Sequence, residues 1–162
     1  MSEKGILGVF AGHEFLRGLS ERHLMILASG AKPFTAGPGE LLARQDETAD
    51  AFYLIRSGHV VLGAVTGAGD EVPIQQVGPG EVVGWSWLVA PHRWQFSCRA
   101  ADRVEGIAFD AAWLRDLCER DPGLGYHLLK QMVTVIAERL ACTRRQLVAP
   151  HQESVAHAGP IP

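Results

Sequence analysis

The stretch GEVVGWSWLVAPHRWQFSCRA, residues 80–100, contains the features that decide both the fold and the candidate site of this chain. A glycine turn at Gly80 leads into a short helical patch around Trp85, and a strand that contains Arg99 follows. Successive backbone N–H groups at the start of a helical segment attract anions, and an arginine can complete the charge balance. The stretch therefore predicts a cradle for an anion such as a phosphate group.

The composition is that of an ordinary globular domain, with 162 residues, 47% of them hydrophobic and 20% charged. A formal net charge of −3 provides no global basic field to attract nucleic acid. No apolar run approaches the ~20 residues that span a bilayer, and no secretory signal is visible. Three unclustered cysteines (Cys98, Cys118 and Cys142) favour free thiols in a reducing compartment, so we expect a cytoplasmic protein with no membrane association.

Helical signals lie at the two ends of the chain. Ser20 can cap a helix that ends at Gly30, within a first segment of 30 residues that is predicted to be helical. Asp110 can cap a short helix that runs to about Leu117. The pair Asp121-Pro122 then provides an N-cap followed by proline at the first helical position, which starts a long helix that reaches about Leu147.

The middle of the chain has a sequence pattern typical of short strands. Apolar runs separated by Gly, Pro and Asp favour an all-β barrel or sandwich over a parallel α/β fold. The segment GAGD at 67–70 predicts a hairpin turn, and the tetrapeptide GPGE occurs at both 37–40 and 78–81, where it suits a tight turn in each half of a jelly roll. The runs are residues 41–43, 51–56, 59–65, 72–77, 96–100 and 104–109.

The long C-terminal helix carries two apolar faces. One face, which we call the α4 seam, repeats at alternating spacings of four and three residues, the pattern of helices that pack side by side. The other face, Leu128, Met132 and Val135, can cover the strands. Either one barrel covers both faces or a second copy of the chain covers the seam in a two-fold dimer. The seam consists of Leu129, Val133, Ile136, Leu140, Thr143 and Leu147.

This order of helices, strands, a short internal helix and a long helix resembles the cyclic nucleotide-binding domain of catabolite activator proteins, Fnr-type regulators, cyclic-nucleotide-dependent kinases and gated channels. The similarity covers roughly residues 13 to 148. The segments that carry the resemblance are FLRGLS at 15–20, FYLIRSG at 52–58, GPGE at 78–81, and Arg139-Leu140 with Thr143 in the long helix. The resemblance implies a mainly β fold, an eight-stranded jelly-roll barrel with N-terminal helices and a long C-terminal helix. It also implies a domain over residues 1–148, with 149–162 as a disordered tail.

The phosphate-binding cassette departs from the family pattern at both of its charged anchors. In the family, the cassette opens with a Phe-Gly-Glu triplet whose acid binds the ribose 2′-hydroxyl, and an arginine nine residues later neutralises the cyclic phosphate. Here the triplet falls on Val83-Gly84-Trp85 and the arginine position on Trp94, six residues before Ala100. Both anchors are therefore tryptophan.

Three alternatives remain open for the missing charge. A bulge could turn Arg93 inward, although a slip of one residue in a strand normally reverses the side chain. Arg99 or Arg139 could supply the cation from another direction. Otherwise the interior no longer accepts a cyclic phosphate, and the aromatic rings of Trp85, Trp87, Trp94 and Phe96 crowd one region or stack on a flat or cationic ligand.

The resemblance implies cyclic AMP or cyclic GMP as the candidate ligand. Two of the candidate positions, Ser97 and Thr143, match residues that contact the ligand's base in the family, and Gln95 follows the arginine position; all three also suit ordinary strand or helix positions. The full set of candidate ligand-binding residues is Val83, Gly84, Trp85, Ser86, Trp87, Arg93, Trp94, Gln95, Ser97, Arg139 and Thr143.

Catalytic and metal chemistry are not expected. The seven histidines show no metal-ligand spacing, so we expect them to be solvated or hydrogen-bonded, and no metal is predicted. The chain ends about fifteen residues after the long helix, with no room for the helix-turn-helix that DNA-binding members append, so direct DNA binding is not expected. We therefore expect a non-enzymatic, homodimeric regulatory domain that senses a ligand or binds a protein effector, with altered or weakened nucleotide binding. The alternative is a dimeric scaffold that retains only the fold.

Overall fold

The computed structural model describes residues 3–156 and contains eight strands and four α-helices in that part of the chain. Two short 3₁₀ segments, Glu14–Leu16 and Trp85–Trp87, interrupt the loops. The helices are α1 (Glu3–Gly12), α2 (Glu21–Gly30), α3 (Ala111–Arg120) and α4 (Pro122–Ala156). The strands are β1 (Lys32–Ala36), β2 (Leu41–Ala43), β3 (Ala51–Ser57), β4 (Val60–Val65), β5 (Glu71–Val77), β6 (Val82–Val83), β7 (Ser97–Ala100) and β8 (Val104–Asp110).

The strands form two antiparallel sheets of four. Sheet 1 has the order β1-β8-β3-β6, and sheet 2 has the order β2-β7-β4-β5. The predicted mainly β architecture with flanking helices and eight strands is confirmed, whereas the hydrogen-bonded ladders of the described strands stay within the two sheets and do not close into one barrel.

Sheet 1 separates two hydrophobic cores. Its outer face packs on the helices through residues such as Phe52, Leu54 and Ile107, and we call this cluster the helix-side core. Its inner face packs on sheet 2 through residues such as Ile55, and we call that cluster the inter-sheet core. Because side chains alternate along a strand, consecutive residues of β3 contribute to different cores. The inter-sheet core contains Ala36, Ala43, Ala49, Ile55, Val60, Leu62, Val77, Val83, Trp94, Cys98, Ala100 and Val104.

The predicted helix caps are confirmed. The Ser20 hydroxyl accepts a hydrogen bond from the backbone N–H of His23 at 3.3 Å, and α2 begins at the next residue. The Asp110 carboxylate accepts from the N–H of Trp113 at 2.7 Å and starts α3. Asp121 accepts from the N–H of Leu124 at 3.2 Å, directly before the first turn of α4. Each cap satisfies a backbone donor that the helix itself leaves open.

The repeated GPGE tetrapeptide forms the same turn twice. Gly39 and Gly80 both have positive φ, 82° and 84°, at the third position of the turn, where glycine is the favoured residue. In each copy the glutamate closes the turn: Glu40 accepts from the N–H of Gly37 at 2.9 Å, and Glu81 accepts from the N–H of Gly78 at 2.7 Å. The second copy delivers the chain into β6 and the candidate cassette.

Helix α4 is longer than the sequence analysis predicts. It continues to Ala156, through Pro150, whereas the prediction ended it at about Leu147. Helix propagation is cooperative, so the loss of one backbone hydrogen bond at a proline near the end of a long helix does not by itself end it. The predicted tail extends beyond Ala156 into residues 157–162, which lie outside the described part of the chain, and its disorder stays a prediction.

The two apolar faces of α4 have different surroundings. Leu128 and Met132 are buried in the helix-side core, as predicted. On the seam, Leu129, Val133 and Leu140 are exposed, whereas Ile136 packs against the helix-side core. None of the helices in residues 3–156 is sufficiently long and apolar to cross a bilayer.

Candidate ligand-binding site

The cassette begins with a sharp change of direction after β6. Gly84 has φ of 101° and ψ of 53°, a left-handed conformation that favours glycine, and the 3₁₀ turn Trp85–Trp87 follows it. The guanidinium of Arg115 on α3 donates to the carbonyl of Trp87 at 2.9 Å, which fixes the end of that turn. The segment is therefore held from both sides, by β6 and by α3.

Trp94 occupies the inter-sheet core. Its side chain is 3% exposed, and its ring is nearly parallel to that of Tyr53, with centroids 6.3 Å apart and planes inclined by 24°. A Cβ added to Gly84 would lie 2.7 Å from the Cη2 of the indole, so the ring packs directly against the cassette turn. The predicted arginine position therefore holds a large apolar ring inside the two-sheet sandwich.

Arg93 and Gln95 project away from that interior. Both are exposed, on either side of the buried Trp94, which is the alternation expected of an extended segment. The guanidinium of Arg93 donates to the carbonyl of Asp46 at 2.7 Å, and the side chain of Gln95 donates to the carbonyl of Arg93 at 3.3 Å. The alternative in which a bulge turns Arg93 inward is therefore wrong for this structure.

The other two cassette tryptophans pack on the opposite side of sheet 1. Trp87 is fully buried in the helix-side core, 5.7 Å from the ring of Phe52, and the half-buried Trp85 packs against the same core. The buried Nε1 of Trp87 has no hydrogen-bond partner within the described residues. The expectation that the aromatic rings crowd one region is thus wrong for Trp85 and Trp87, because the left-handed turn at Gly84 directs the chain toward the helices.

The remaining strand candidates are structural neighbours of the inter-sheet core. Val83 is fully buried there and pairs with Tyr53 across the strands. Ser97 is buried, and its hydroxyl accepts from the backbone N–H of Gln45 at 3.1 Å. Ser86 is buried in the 3₁₀ turn. In this conformation the Ser97 hydroxyl is therefore already engaged by the backbone.

Arg139 reaches the cassette from α4. Its guanidinium donates to the carbonyl of Val82, and Thr143 donates from its hydroxyl to the carbonyl of Arg139 at 3.1 Å. Burial lowers the pKa of Arg139, while the Glu81 carboxylate acts in the opposite direction, and the guanidinium stays charged at neutral pH. A cavity of about 230 Å³ lies between α4 and the GPGE turn that precedes β6, with Glu81, Val82 and Arg139 among its lining residues.

Arg99 does not reach the interior. Its guanidinium donates to the carbonyl of Gly39 at 2.8 Å and lies 3.3 Å from the Glu71 carboxylate. The residue pairs with Val61 on the face of sheet 2 that points away from the inter-sheet core. Of the alternatives for a substitute cation, the structure therefore brings Arg139 to the cassette and leaves Arg93 and Arg99 outside.

The titratable groups of the inter-sheet core are neutral at physiological pH. Burial raises the pKa of the Cys98 thiol to about 12 and that of the Tyr53 phenol to about 12. The Tyr53 hydroxyl donates to the carbonyl of Leu42 at 3.3 Å. An anion that entered this space would consequently meet a protonated thiol and phenol and an indole in place of a guanidinium.

A family model for the cyclic nucleotide-binding domain matches residues 34–121, more than half of the 162-residue chain. The chain belongs to this family. Its fold is similar to that of a protein described as cyclic nucleotide-binding from Geobacter metallireducens, with a TM-score of 0.74 and 24% identity over 86% of this chain and 98% of that one. It is also similar to a cyclic nucleotide-binding domain from Methylobacillus flagellatus, with a TM-score of 0.76 and 18% identity over 91% and 83% of the two chains.

A third neighbour of this cyclic nucleotide-binding domain is a kinase subunit. The regulatory subunit of a cAMP-independent protein kinase A from Trypanosoma cruzi, bound to guanosine, has a TM-score of 0.62 and 19% identity over 77% of this chain and 48% of that one. No curated protein matches the chain significantly. At these identities the structural neighbours establish the fold.

Sequence reasoning missed one feature of this member of the family, the buried histidine His13. It was expected to be solvated or hydrogen-bonded, yet it is 5% exposed, and the nearby carbonyls of Ile55 and Glu81 do not form well-aligned hydrogen bonds with its ring nitrogens. The aromatic residues on both sides of it, Phe10 and Phe15, are the signal in the sequence that points to burial. Residues 3–156 contain no cluster of three or more side chains suited to holding a metal ion.

Proposed function

We propose that this chain is a regulatory domain that acts by ligand or partner binding, and that Trp94 has made its affinity for cyclic nucleotides weak or shifted it to another ligand. The observation that carries the proposal is the position of the indole. It lies between the two sheets, at the residue where the family has its phosphate-binding arginine, and it packs against Tyr53 and Gly84. We take the interior between the sheets to correspond to the family's jelly-roll ligand cavity.

The missing guanidinium has an energetic consequence. Removal of one partner of a buried, charge-assisted pair costs about 2–5 kcal/mol, which is tens- to thousands-fold in affinity. The nearby Arg93 is engaged with the Asp46 carbonyl on the outside and does not replace it. Cyclic AMP and cyclic GMP therefore lose their main electrostatic anchor in this domain.

A ligand without a phosphate is the alternative that the chemistry favours. One neighbour with this fold, the Trypanosoma cruzi regulatory subunit, is bound to guanosine, a nucleoside that needs no phosphate anchor. In the present chain, Arg139 and Glu81 line the 230 Å³ cavity beside the GPGE turn that precedes β6. They offer a hydrogen-bond donor and an acceptor to the polar edge of a nucleobase. The candidate ligand contacts are the cassette residues predicted from the sequence, together with Arg139 and Thr143 on α4.

The seam of α4 supports a homodimer as part of this function. Leu129, Val133, Leu140 and Leu147 are exposed along one face of the helix. Apolar residues at a/d spacing on a long helix are buried by a second helix of the same kind. A dimer formed there would place the Arg139 cavity beside the interface, so that ligand contacts and partner contacts share one helix. The exposed part of the same helix is also available to bind a protein effector.

The experiment is a ligand titration of two variants at residue 94. Trp94→Ala removes the indole without adding charge, and Trp94→Arg places the family's guanidinium at the same position. Binding of cyclic AMP, cyclic GMP and guanosine is measured by calorimetry and by thermal shift for both variants and for the wild type. A ligand at 100 times its dissociation constant adds ~2.7 kcal/mol of stability, which a thermal shift detects.

The wild type is expected to show no saturable binding of cyclic AMP or cyclic GMP at micromolar concentrations. Trp94→Arg should bind cyclic AMP at least about tenfold more tightly than Trp94→Ala, because it supplies a guanidinium that can pair with the phosphate and Trp94→Ala does not. Far-UV circular dichroism and an unfolding transition establish that each variant is folded. Tight cyclic nucleotide binding by the wild type, unaffected by either change, would contradict the proposal. Binding of guanosine supports a sensor, and no binding of any probe supports a dimeric scaffold.

A further inference from the structure

A second cavity lies outside the inter-sheet core, between α1 and the end of β3. Its volume is about 490 Å³, within the range of small-molecule pockets, which is roughly 300–1,000 Å³. Residues from three parts of the chain meet there: the first helix, strand β3 and the turn before the cassette. The lining residues that matter for the argument are Gly8, Gly12, His13, Arg56 and Gly80.

Helix α1 presents a face without side chains to this cavity. Gly5, Gly8 and Gly12 lie at spacings of three and four residues, so they share one face of the helix. A Cβ added at Gly8 or Gly12 would meet nothing within 4 Å, so packing within the described chain does not require glycine at either position. Glycine weakens a helix relative to alanine. The helix therefore gives up stability to leave a space open.

His13 lies in the wall of the same cavity, and neither of its ring nitrogens forms a well-aligned hydrogen bond within the described residues. The residue is 5% exposed, and the nearby backbone carbonyls of Ile55 and Glu81 do not form well-aligned hydrogen bonds with Nδ1 or Nε2. Burial lowers the pKa of its imidazole, although the carbonyl groups of Ile55 and Glu81 and the carboxylate of Glu14 act in the opposite direction. A neutral ring has one donor and one acceptor, and it is unfavourable to bury both without partners.

Arg56 adds an unpaired positive charge. It is exposed on β3 and lines the cavity, and its guanidinium forms no ion pair or hydrogen bond with any described residue. A guanidinium recognises the two oxygens of a carboxylate or a phosphate through parallel N–H donors. An unpaired cation beside an imidazole that lacks a well-aligned hydrogen bond is a suitable set of donors for one oxyanion.

We propose that this cavity binds a small molecule that carries an oxyanion, a phosphate or a carboxylate group, with Arg56 pairing with the charge and His13 donating to it or to an adjacent oxygen. The glycine face of α1 accommodates the rest of the ligand. Gly80, in the GPGE turn before the cassette, lines the same cavity, so an occupant contacts the segment that leads into β6. This site is distinct from the interior around Trp94 and does not depend on the function proposed for that interior.

The test uses inorganic phosphate and acetate as separate probes on the full chain. Ring ¹⁵N signals of histidine are followed by long-range heteronuclear NMR during each titration, at constant ionic strength and above neutral pH. We expect the His13 ring signals to shift saturably with phosphate, with acetate or with both, at millimolar concentrations. The preferred probe identifies which oxyanion the site accepts.

Three variants establish the location of the site. Arg56→Gln should weaken binding of the preferred probe by about tenfold or more, because it removes the charge and leaves a polar, uncharged side chain. Arg144→Gln, which removes an exposed guanidinium on α4 outside the cavity, should leave the titration unchanged. Gly8→Leu should block binding by filling the space, without a loss of thermal stability, since leucine is the better helix former.

Two results would overturn the proposal. One is the absence of any saturable His13 shift with either probe up to about 50 mM, beyond the millimolar range expected for so small an anion. The other is equal weakening by Arg56→Gln and Arg144→Gln, which would indicate general charge screening. Because these readouts follow His13 and not Trp94, they are independent of any cyclic nucleotide titration.

Discussion

The indole of Trp94 packs against the α-carbon of Gly84, so that a Cβ at residue 84 would lie only 2.7 Å from the ring carbon Cη2. The same glycine has φ of 101°, which L side chains rarely adopt. One residue therefore meets two requirements, a left-handed turn into the cassette and space for a large ring in the inter-sheet core. The two positions form one packing unit, and a change at either affects both.

Gly84→Ala should destabilise the protein by about 2–5 kcal/mol, because strain at positive φ and overpacking against the indole add together. Urea unfolding at neutral pH measures the change. Gly67→Ala is the matched control, since Gly67 has open space around its α-carbon and no positive φ. Similar losses in the two variants would contradict the packing described here.

Trp94→Ala should cost about 3–5 kcal/mol in the free energy of unfolding, the range for removal of a buried aromatic side chain. Trp94→Phe should cost less, because a smaller ring still fills part of the space. Thermal and chemical unfolding provide the measurement. Tyr126→Ala is the control, since Tyr126 is an exposed aromatic residue on α4 and its loss should fall below about 1 kcal/mol. A Trp94→Ala variant as stable as the wild type would mean that the ring is not a core residue.

Leu140→Glu should convert a dimer of the wild-type chain into a monomer. Leu140 is 69% exposed on the α4 seam, and a glutamate there would bury a charge if two helices paired. Sedimentation or light scattering over a range of protein concentrations gives the oligomeric state. Met25→Glu, at a 57% exposed methionine on α2, is the matched control and should leave that state unchanged. A wild type that is monomeric at all concentrations would rule out pairing through this helix.

His13 should make stability depend on pH. Its pKa is lowered in the folded protein by burial, so below the unfolded value of about 6.5 the unfolded state binds more protons than the folded state. This contribution is fully present above about pH 6.5 and declines as the pH falls through that value toward the lowered pKa. Unfolding free energies from pH 8 to pH 5 for the wild type and His13→Gln test the sign. Their difference should change only below about pH 6.5, and a constant difference would exclude the effect.

Local signals in the sequence predicted much of this fold. Ser20, Asp110 and Asp121 cap the helices that they were expected to cap, because a cap depends on a few neighbouring residues. The two GPGE turns could likewise be predicted, since proline and glycine determine the backbone conformation locally. The alternation around Trp94 was predictable from the period of a strand, and it places Arg93 and Gln95 outside.

Long-range packing accounts for what could not be predicted. Strand β6 has two residues, too few for any periodicity, and β1 begins at Lys32 directly before a proline that an edge strand of sheet 1 tolerates. The side of the sheet on which Trp85 and Trp87 pack depends on one left-handed residue. The environment of His13 depends on where α1 lies against β3, which no local pattern encodes.

The shortness of β6 has a mechanical consequence. Val82 and Val83 are neighbours in the chain, yet one faces the helices and the other faces sheet 2. They are joined to β3 through only two residue pairs, with Leu54 and Tyr53. Because these two side chains pack on opposite sides of sheet 1, any movement of the segment would disturb both cores at once. A displacement that begins in the inter-sheet core at Val83 would therefore reach the outer helices through the next residue of the chain, Val82.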